Sequence, residues 1–356
     1  DDWRHVDALG EWCAEVKLAP LAPRAAKLRS LSGLVTGEAL TLPYYRNAAL
    51  KAWAQALADA GRVRFGLAYS SAMAQFMPRN LARRVMDMVD VDSDKWGQYA
   101  PTQPWPMSRV YAREGVKLAA WEARIATDFD ATLLVSRDEA ALLRRRVPAA
   151  AGRIHALENG VDHEAFSPAR DWPNPYPADA LAIVFTGAMD YWPNVDAVVW
   201  FAEEVYPALR ERFPQALFVI VGSRPGDKVT RLARRPGVRV TGRVDAVQPY
   251  LAHAACVVAP LRIARGVQNK VLEAMAMAKP VVVTPEAAEG IDAVAGHDFE
   301  LALDRTGFIA AVAAVLAAPA ARPAARAAVL ARYDWNTNLA ALDEHFAAPL
   351  IESLAA

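Results

Sequence analysis

The stretch RIARGVQNKVLEAMAMAKPVVVT, residues 262–284, decides the fold of this chain. It places charged residues and a glycine directly before an apolar helical run, which leads into an apolar strand. Apolar residues recur at helical spacing from Val271 to Ala276 and predict a buried helix face, with Asn269 as the N-cap. A loop, a buried helix and a buried strand in this order are typical of a parallel α/β sheet.

Apolar runs of strand length recur on both sides of this stretch, with room for a helix between them. Nearly continuous apolar strands that alternate with helices predict a doubly wound sheet covered on both faces. In the second half of the chain the predicted strands are 181–187, 216–222, 238–242, 254–260 and 280–284. In the first half they are 14–19, 64–70, 84–90, 131–136 and 154–159.

The two halves are separated by a proline-rich segment. Residues 166–180 contain four prolines, which fix extended backbone and cannot continue a helix. The sequence therefore predicts two Rossmann-like domains with a linker and a final helix. The predicted divisions are an N-terminal domain (1–166), a linker (167–180), a C-terminal domain (181–335) and a C-terminal helix (336–356) that packs back toward the first domain.

Composition narrows the function classes. Lys plus Arg and Asp plus Glu both total 40, so no bulk charge attracts nucleic acid, and any phosphate must be recognised locally. The two cysteines form no disulfide framework, and Cys256 lies in an apolar run as a predicted core residue. No apolar stretch reaches the length of a membrane span, and the polar start lacks the pattern of a signal peptide. These features favour a reducing, cytoplasmic location.

The loop before the buried helix has the chemistry of a diphosphate site. A helix N-terminus offers free N–H groups and a partial positive charge. Gly266 permits close approach of a ligand, and Arg262, Arg265 and Lys270 add cationic donors. Glu273 lies three residues after Lys270, where it can accept hydrogen bonds from ribose hydroxyls. The alternative is a surface salt bridge between Lys270 and Glu273 beside a solvated loop.

Several segments together resemble the retaining family 4 glycosyltransferases of the GT-B fold. They are GVQNKVLEAMAMAKPVVVT (266–284), ENGVDHEAF (158–166) and FTGAMDYWPNVDAV (185–198). More narrowly, DMVDVDSDKWGQYA (87–100) and PLRIARGVQNKVLEAMAM (260–277) resemble the sugar transferases associated with exopolysaccharide and PEP-CTERM/exosortase gene clusters. The resemblance covers nearly the whole chain. It implies two Rossmann-like domains that face each other across a cleft, the N-terminal one on the acceptor side and the C-terminal one binding the nucleotide sugar.

The family's donor-site residues transfer to this chain with one departure. The family carries two glutamates eight residues apart, the first facing the donor sugar and the second the ribose. Glu273 matches the second, whereas Arg265 occupies the position of the first, which puts the identity of the donor sugar in doubt. Gly187 matches the glycine turn that approaches the donor phosphates, and its alternative role is an ordinary strand-end turn. Asn269 and Gly266 complete the predicted donor-binding set.

The motif Asp90-Val91-Asp92 resembles the D-x-D metal signature of the other large glycosyltransferase fold. Because it follows a first-domain strand, far in sequence from the diphosphate elements, we expect transfer without a metal or a cofactor. Asp90 falls where the family often places a group facing the sugars, so it is the candidate acid/base or positioning residue. Its alternative role is a turn or helix cap. In the aromatic segment that follows, Trp96 and Tyr99 are candidate acceptor-side residues, or they pack the loop.

The resemblance and the residues together predict a glycosyltransferase. It would move a sugar from a nucleotide diphosphate to a lipid-linked or polysaccharide acceptor in exopolysaccharide biosynthesis, with peripheral contact to the inner membrane as a further expectation. Arg262 and Lys270 would stabilise the departing diphosphate. Retention is implied by the resemblance alone. Two alternatives remain open, a sugar-nucleotide hydrolase or epimerase of the same fold and a non-catalytic nucleotide-sugar-binding subunit, which the Arg265 substitution favours.

The start of the sequence carries a further expectation. The family begins with a strand, a glycine-containing loop and a helix, whereas the first strand-like run here is AEVKLA at residues 14–19. That run would be the second strand of its domain. We therefore expect a first domain without its first strand, loop and helix, which binds nucleotide through the second domain and transfers sugar poorly.

Overall fold

The chain forms two α/β units, each built on a parallel sheet. The structure is a computed structural model that describes Trp3, residues 6–264 and residues 266–347. The first unit runs to Leu157 and includes the chain from Ala341, and the second unit is Glu158–Ala340. The unit boundary therefore precedes the predicted linker at 167–180. That segment packs on the second unit, where Tyr176 is buried and donates a hydrogen bond to the carbonyl of Tyr250 (2.8 Å).

Every strand pairing of both sheets is parallel, as nearly continuous apolar strands predict. The first sheet has the order β1-β2-β3-β4 and the second the order β10-β9-β8-β5-β6-β7. The strands are β1 (Phe65–Tyr69), β2 (Arg83–Val89), β3 (Ala131–Leu134), β4 (Ile154–Ala156), β5 (Leu181–Thr186), β6 (Ala216–Val221), β7 (Val238–Gly242), β8 (Cys256–Ala259), β9 (Val281–Val283) and β10 (Glu300–Leu301).

Helices connect the strands of both sheets. They are α1 (Val6–Gly10), α2 (Pro23–Ser30), α3 (Ser32–Thr36), α4 (Thr41–Tyr45), α5 (Ala48–Asp59), α6 (Asp92–Tyr99), α7 (Met107–Asp128), α8 (Arg137–Arg146), α9 (Trp192–Trp200), α10 (Tyr206–Arg212), α11 (Asp227–Thr230), α12 (Gln248–Ala252), α13 (Asn269–Ala276), α14 (Pro285–Ala288), α15 (Arg305–Ala317), α16 (Pro323–Arg332) and α17 (Trp335–Phe346). Short 3₁₀ helices occur at Ser71–Phe76, Ala100–Thr102, Pro148–Arg153 and Arg231–Arg234. No described helix has both the length and the apolar character that crossing a bilayer requires.

Nine of the ten predicted strands form, and the prediction for residues 14–19 is wrong. This segment is irregular and at most half-buried. Glu15 accepts a hydrogen bond from the indole N–H of Trp53 (2.6 Å) and forms an ion pair with Arg62 (2.8 Å). Because these polar contacts tie the segment to α5 and the turn after it, the segment does not join the sheet.

The apolar helical pattern of residues 195–213 is interrupted in the structure. A π-helical turn at Phe201–Val205 separates α9 from α10, and Pro207 is the second residue of α10. Proline lacks the N–H that would bond four residues back, and its ring crowds the carbonyl there, so a π turn before it accommodates the break.

The last described helix, α17, begins at Trp335, one residue before the predicted start. The Asp334 carboxylate accepts a hydrogen bond from the N–H of Asn336 (3.0 Å), so this aspartate caps the first turn of the helix. Leu342 and Phe346 of α17 pack on the apolar cluster of β2 and β3 in the first unit.

Candidate functional site

A cavity of about 520 Å³ lies at the carboxyl ends of β5 and β6. Strand β5 has β6 on one side and β8 on the other, so the chain reverses its winding direction at β5. Open α/β sheets bind ligands at this switch point, outside the carboxyl ends of the strands. The cavity is lined by Thr186, Gly187, Val221, Gly222, Ser223, Arg243, Val244, Val247, Val267, Asn269, Lys270 and Glu273.

Two glycines form one wall of this cavity. Gly187 follows β5, and a Cβ there would come within 2.7 Å of the Asn194 side-chain nitrogen. Gly222 follows β6, and a Cβ there would overlap the carbonyl oxygen of Gly187. The backbones of the two strand ends are thus in contact. Because neither glycine has a side chain, the main chain there is accessible to a ligand. Beside them, the buried hydroxyl of Thr186 has no hydrogen-bond partner within the part of the chain that the structure describes.

Lys270 supplies a cation to this cavity from the first turn of α13. Its ammonium donates a hydrogen bond to the Asn194 side-chain oxygen (2.6 Å) and lies 4.7 Å from the centre of the Phe185 ring. Burial lowers the pKa of Lys270 to about 8, and the nearby charge of Glu273 partly offsets this. The side chain is therefore mostly protonated at neutral pH, and an anion in the cavity would stabilise that form.

Glu273 lies one turn further along α13 and lines the same cavity. Burial raises its pKa to about 7, against the opposing charge of Lys270. At neutral pH the carboxyl group is shared between its protonated and ionised forms, so it can donate to or accept from a hydroxyl group. Both side chains are half-buried, which does not fit an ordinary solvated surface pair.

The buried face predicted for α13 is confirmed, because the apolar residues from Val271 to Ala276 are fully covered. The predicted N-cap is wrong. Asn269 is the first helical residue and Gln268 precedes the helix, without a capping hydrogen bond from its side chain. The Asn269 side-chain oxygen instead accepts a hydrogen bond from Asn159 (3.1 Å), which holds the start of the helix against the segment after β4.

The structure brings together only part of the predicted donor set. Gly187, Asn269, Lys270 and Glu273 line the cavity. Gly266 lies in the loop before α13 with φ at 65°, a conformation that favours glycine, and it is not among the lining residues. Arg265 lies outside the described residues.

Arg262 does not line this cavity. Its guanidinium donates to the carboxylate of Asp196 on α9 through Nε (2.9 Å) and through the terminal nitrogen (2.5 Å). This bidentate pair holds Arg262 beside a separate depression along α9. The sequence could not show this because the two residues are 66 positions apart.

Two residues of the candidate site were not predicted from the sequence. Asn194 is buried, and its amide donates to the carbonyl of Ala188 (2.9 Å) while its oxygen accepts from Lys270. It therefore joins the turn after β5 to the cation of α13. The signal that could have revealed it is a polar residue directly before the apolar helical pattern of residues 195–213. Arg243 follows β7 and adds a second cation to the lining, without a comparable signal in the sequence.

The first unit holds the remaining predicted residues. Asp90 follows β2 and forms an ion pair with Lys95, whose ammonium also lies 3.9 Å from the Asp92 carboxylate. Burial raises the pKa of Asp92, and the hydroxyl of Ser71 donates to it (3.1 Å). Both carboxylates of the D-x-D motif thus share a protein ammonium group, and Lys95 is a contact that the sequence did not suggest.

Trp96 and Tyr99 lie on helix α6 rather than in a loop. The Trp96 ring meets the Tyr111 ring edge-on at 4.6 Å and packs on an apolar cluster that includes Leu42 and Leu118. These contacts favour the packing role for Trp96. Tyr99 is half-buried at the end of the helix.

The backbone around α6 is held by buried carboxyl groups. Glu122 accepts a hydrogen bond from the N–H of Ser93 (2.8 Å), and Glu139 accepts one from the N–H of Val91 (2.8 Å). Burial raises the pKa of Glu122 to about 7, although the bonds from Ser93 favour its ionised form. These contacts fix the position of Asp90 and the first turn of α6.

Comparisons with known proteins agree with this geometry. Residues 180–318 match the family of glycosyl transferases group 1, which places the match within the second unit. A search of curated protein sequences finds no significant match. Among solved structures, sucrose-phosphate synthase from Thermosynechococcus elongatus aligns with a TM-score of 0.64 at 19% identity, over 86% of this chain and 77% of that chain.

Two further structures are similar over most of their length. WaaG, a glycosyltransferase involved in lipopolysaccharide biosynthesis, has a TM-score of 0.61 at 16% identity and aligns over 86% of this chain and 82% of its own. Anabaena HepE, solved in complex with UDP and glucose, has a TM-score of 0.57 at 15% identity over 83% of this chain and 81% of its own. The predicted fold class is confirmed: the chain has the GT-B fold, and its second unit matches the glycosyl transferases group 1 family.

Proposed function

We propose that the chain is a glycosyltransferase that takes its sugar from a nucleoside diphosphate donor bound in the cavity of the second unit. The observation that carries this proposal is the set of Gly187, Gly222, Lys270 and Glu273 around one cavity at the switch point of the sheet. That cavity lies inside the segment that matches group 1 glycosyltransferases. The UDP and glucose in the similar Anabaena HepE structure support a donor of this class.

The lining residues suit the parts of such a donor. Backbone at Gly187 and Gly222 permits a diphosphate to approach closely, and the N-terminus of α13 favours its charge. Glu273, with a pKa near 7, can accept or donate hydrogen bonds to ribose hydroxyls. Arg265 and Gly266 remain proposed members of the donor-binding set, with phosphate or an acidic sugar as the group that Arg265 would bind.

The chemical step calls for stabilisation of the leaving group. When the bond between the sugar carbon and the phosphate oxygen breaks, negative charge accumulates on the diphosphate. The Lys270 ammonium, already oriented by Asn194, stabilises that charge without reorganisation, and Arg243 adds a second cation. Arg262, bound to Asp196, acts on this reaction only by holding α9 beside the loop.

We assign the acceptor side to the first unit and infer an acceptor that is lipid-linked or a polysaccharide. The resemblance of residues 87–100 to exopolysaccharide sugar transferases supports this assignment, as does the lipopolysaccharide role of the similar WaaG. Asp90 is the proposed acid/base or positioning group, with Tyr99 and Trp96 nearby on α6. Retention of configuration, a cytoplasmic location and peripheral membrane contact belong to the same proposal.

Release of nucleotide from a panel of nucleotide sugars tests the function. Release that depends on a lipid-linked or oligosaccharide acceptor supports a transferase. Equal release with and without acceptors identifies a hydrolase, and conversion of the donor sugar without release identifies an epimerase. Tight binding with no turnover on any donor and acceptor pair would make the chain a binding subunit.

Nucleoside diphosphate affinity is expected to fall at alkaline pH. The pKa of Lys270 is about 8 in the free protein. Binding at pH 9 must therefore include protonation of Lys270, which weakens the affinity by about tenfold relative to pH 7. Calorimetry with UDP from pH 7 to pH 9 measures the change. The Lys270→Arg variant keeps its charge and should bind with little dependence on pH, whereas a steep loss in that variant would assign the effect to another group.

Transfer is expected to continue in the presence of a chelator. Lys95 already pairs with Asp90 and lies near Asp92, so an ammonium group of the protein takes the position beside the two carboxylates that a metal would need. Turnover in EDTA should remain within about twofold of the untreated enzyme, because Lys270 rather than a metal ion stabilises the charge of the leaving group. Loss of activity in EDTA with rescue by manganese would establish metal dependence.

A further inference from the structure

A second cavity, of about 470 Å³, lies in the first unit and has no role in the proposed reaction. It is bordered by α5, by the 3₁₀ helix Ser71–Phe76 and its following loop, and by the end of α7. It is lined by Lys51, Gln55, Ala74, Gln75, Met77, Arg79, Arg84, Trp121, Arg124, Ile125, Asp128 and Phe129. Four of these side chains are cationic and one is a carboxylate.

Two of the cations lie against aromatic rings and contact Asp128. Arg84 lies over the Phe129 ring at 5.5 Å and donates to the carbonyl of Asp128. Arg124 lies over the Trp121 ring at 6.0 Å, and its Nε is 3.5 Å from the Asp128 carboxylate. The one carboxylate of the lining is therefore already used by Arg124. Both guanidinium groups are oriented before any ligand arrives.

The other two cations are Lys51 on α5 and Arg79 in the loop before β2. Both are exposed, and neither side chain makes a hydrogen bond or ion pair with another of the residues that the structure describes. Holding four cations and one carboxylate around a single cavity raises the local positive potential. An anion with two or more negative charges would offset this positive potential. Met77 and Trp121, which are partly exposed, offer apolar surface for an attached organic group.

This cavity is distinct from the position of Asp90. Arg84 is the second residue of β2 and Phe129 precedes β3 by two positions, so the cavity includes the amino ends of these strands. Asp90 follows the last residue of β2, at the carboxyl end of that strand. Because the strands are parallel, the cavity and Asp90 lie at opposite ends of the strands.

We propose that this cavity binds a phosphate-bearing small molecule, such as a sugar phosphate, at a site separate from the donor cavity. Each guanidinium group of the lining can bind phosphate oxygens with its fork of N–H donors, and Lys51 adds a point charge. The inference does not depend on glycosyl transfer, since it uses only the first unit.

Inorganic pyrophosphate is the probe, and calorimetry in moderate salt is the measurement. The variant Lys270→Ala/Arg243→Ala removes cations from the cavity of the second unit. It should still bind about one equivalent of pyrophosphate. Adding Lys51→Gln and Arg79→Gln should weaken this binding at least about tenfold, because two of the charges facing the anion are removed. Neither side chain makes a hydrogen bond or ion pair within the described part of the chain, so the fold should tolerate both changes.

The matched control adds Lys17→Gln and Arg145→Gln to the same background, two exposed cations of the first unit outside the cavity. It should bind pyrophosphate within about twofold of the parent, since the cavity keeps its charge. The proposal is overturned if the Lys270→Ala/Arg243→Ala variant binds no pyrophosphate. It is also overturned if the control loses as much affinity as the Lys51→Gln/Arg79→Gln combination, or if that combination changes nothing.

Discussion

Replacing Lys270 with alanine is expected to lower the turnover number by about 10²–10³-fold, the usual cost of removing one preorganised donor from a developing oxyanion. Donor affinity should change much less. The ammonium is oriented by Asn194 and half-buried, so its interaction with the diphosphate strengthens as the leaving group gains charge. The turnover number and Michaelis constant are measured for sugar transfer, or for slow donor hydrolysis where no acceptor has been found.

Arg262→Ala is the comparison for this experiment. Arg262 is a cation of the same loop region, but its guanidinium is bound to Asp196 outside the cavity lining. Its removal should change turnover by less than about fivefold, since a partly exposed ion pair contributes little. A Lys270→Ala variant with unchanged turnover and a raised Michaelis constant would show that the lysine only binds the ground state. Equal losses in the two variants would place Arg262 at the leaving group as well.

Gly222→Ala is expected to destabilise the second unit by about 3 kcal/mol, the upper part of the usual range for overpacking. The added Cβ would overlap the carbonyl oxygen of Gly187, and a backbone atom cannot move aside as a flexible side chain can. For a unit of this size the melting temperature should fall by about 6–12 °C. Nucleotide affinity should fall too, because the ends of β5 and β6 form the cavity wall.

Gly226→Ala is the matched control. Gly226 lies four residues further along, and a Cβ there meets no atom within 4 Å. Its φ of −76° is also open to alanine. This variant should melt within about 2 °C of the parent protein. A Gly222→Ala protein that melts and binds UDP like the parent would mean that the two strand ends separate without cost.

Much of the fold follows from local patterns. Nine predicted strands form because each is a short apolar run that must be covered on both faces, whichever strand lies beside it. The apolar spacing of α13 likewise defines which face is buried, and the helix forms as expected. At two places another interaction overrides the apolar pattern. Pro207 breaks a helix that apolar periodicity would continue, and the polar contacts of Glu15 draw residues 14–19 away from the sheet.

Only part of the candidate site can be predicted from such local patterns. Gly187, Lys270 and Glu273 could be found because they lie at the end of a predicted strand or in the first turns of a predicted helix, where ligands bind in α/β sheets. Glycine, lysine and glutamate at those places have few structural reasons to be there. Their positions relative to the predicted strand and helix therefore made them predictable as candidate site residues.

The sequence by itself determined two parallel α/β units and which helix begins at the cavity proposed for the donor. Only the tertiary structure decided which charges are available there. Lys270 meets Asn194, 76 residues away, whereas Arg262 is paired with Asp196 and Asp90 with Lys95. Periodicity depends on neighbours within a few positions, so it is readable from the chain. Charge pairing depends on distances in space between residues that folding brings together, and those distances decide whether a cation meets a ligand or a carboxylate of the protein.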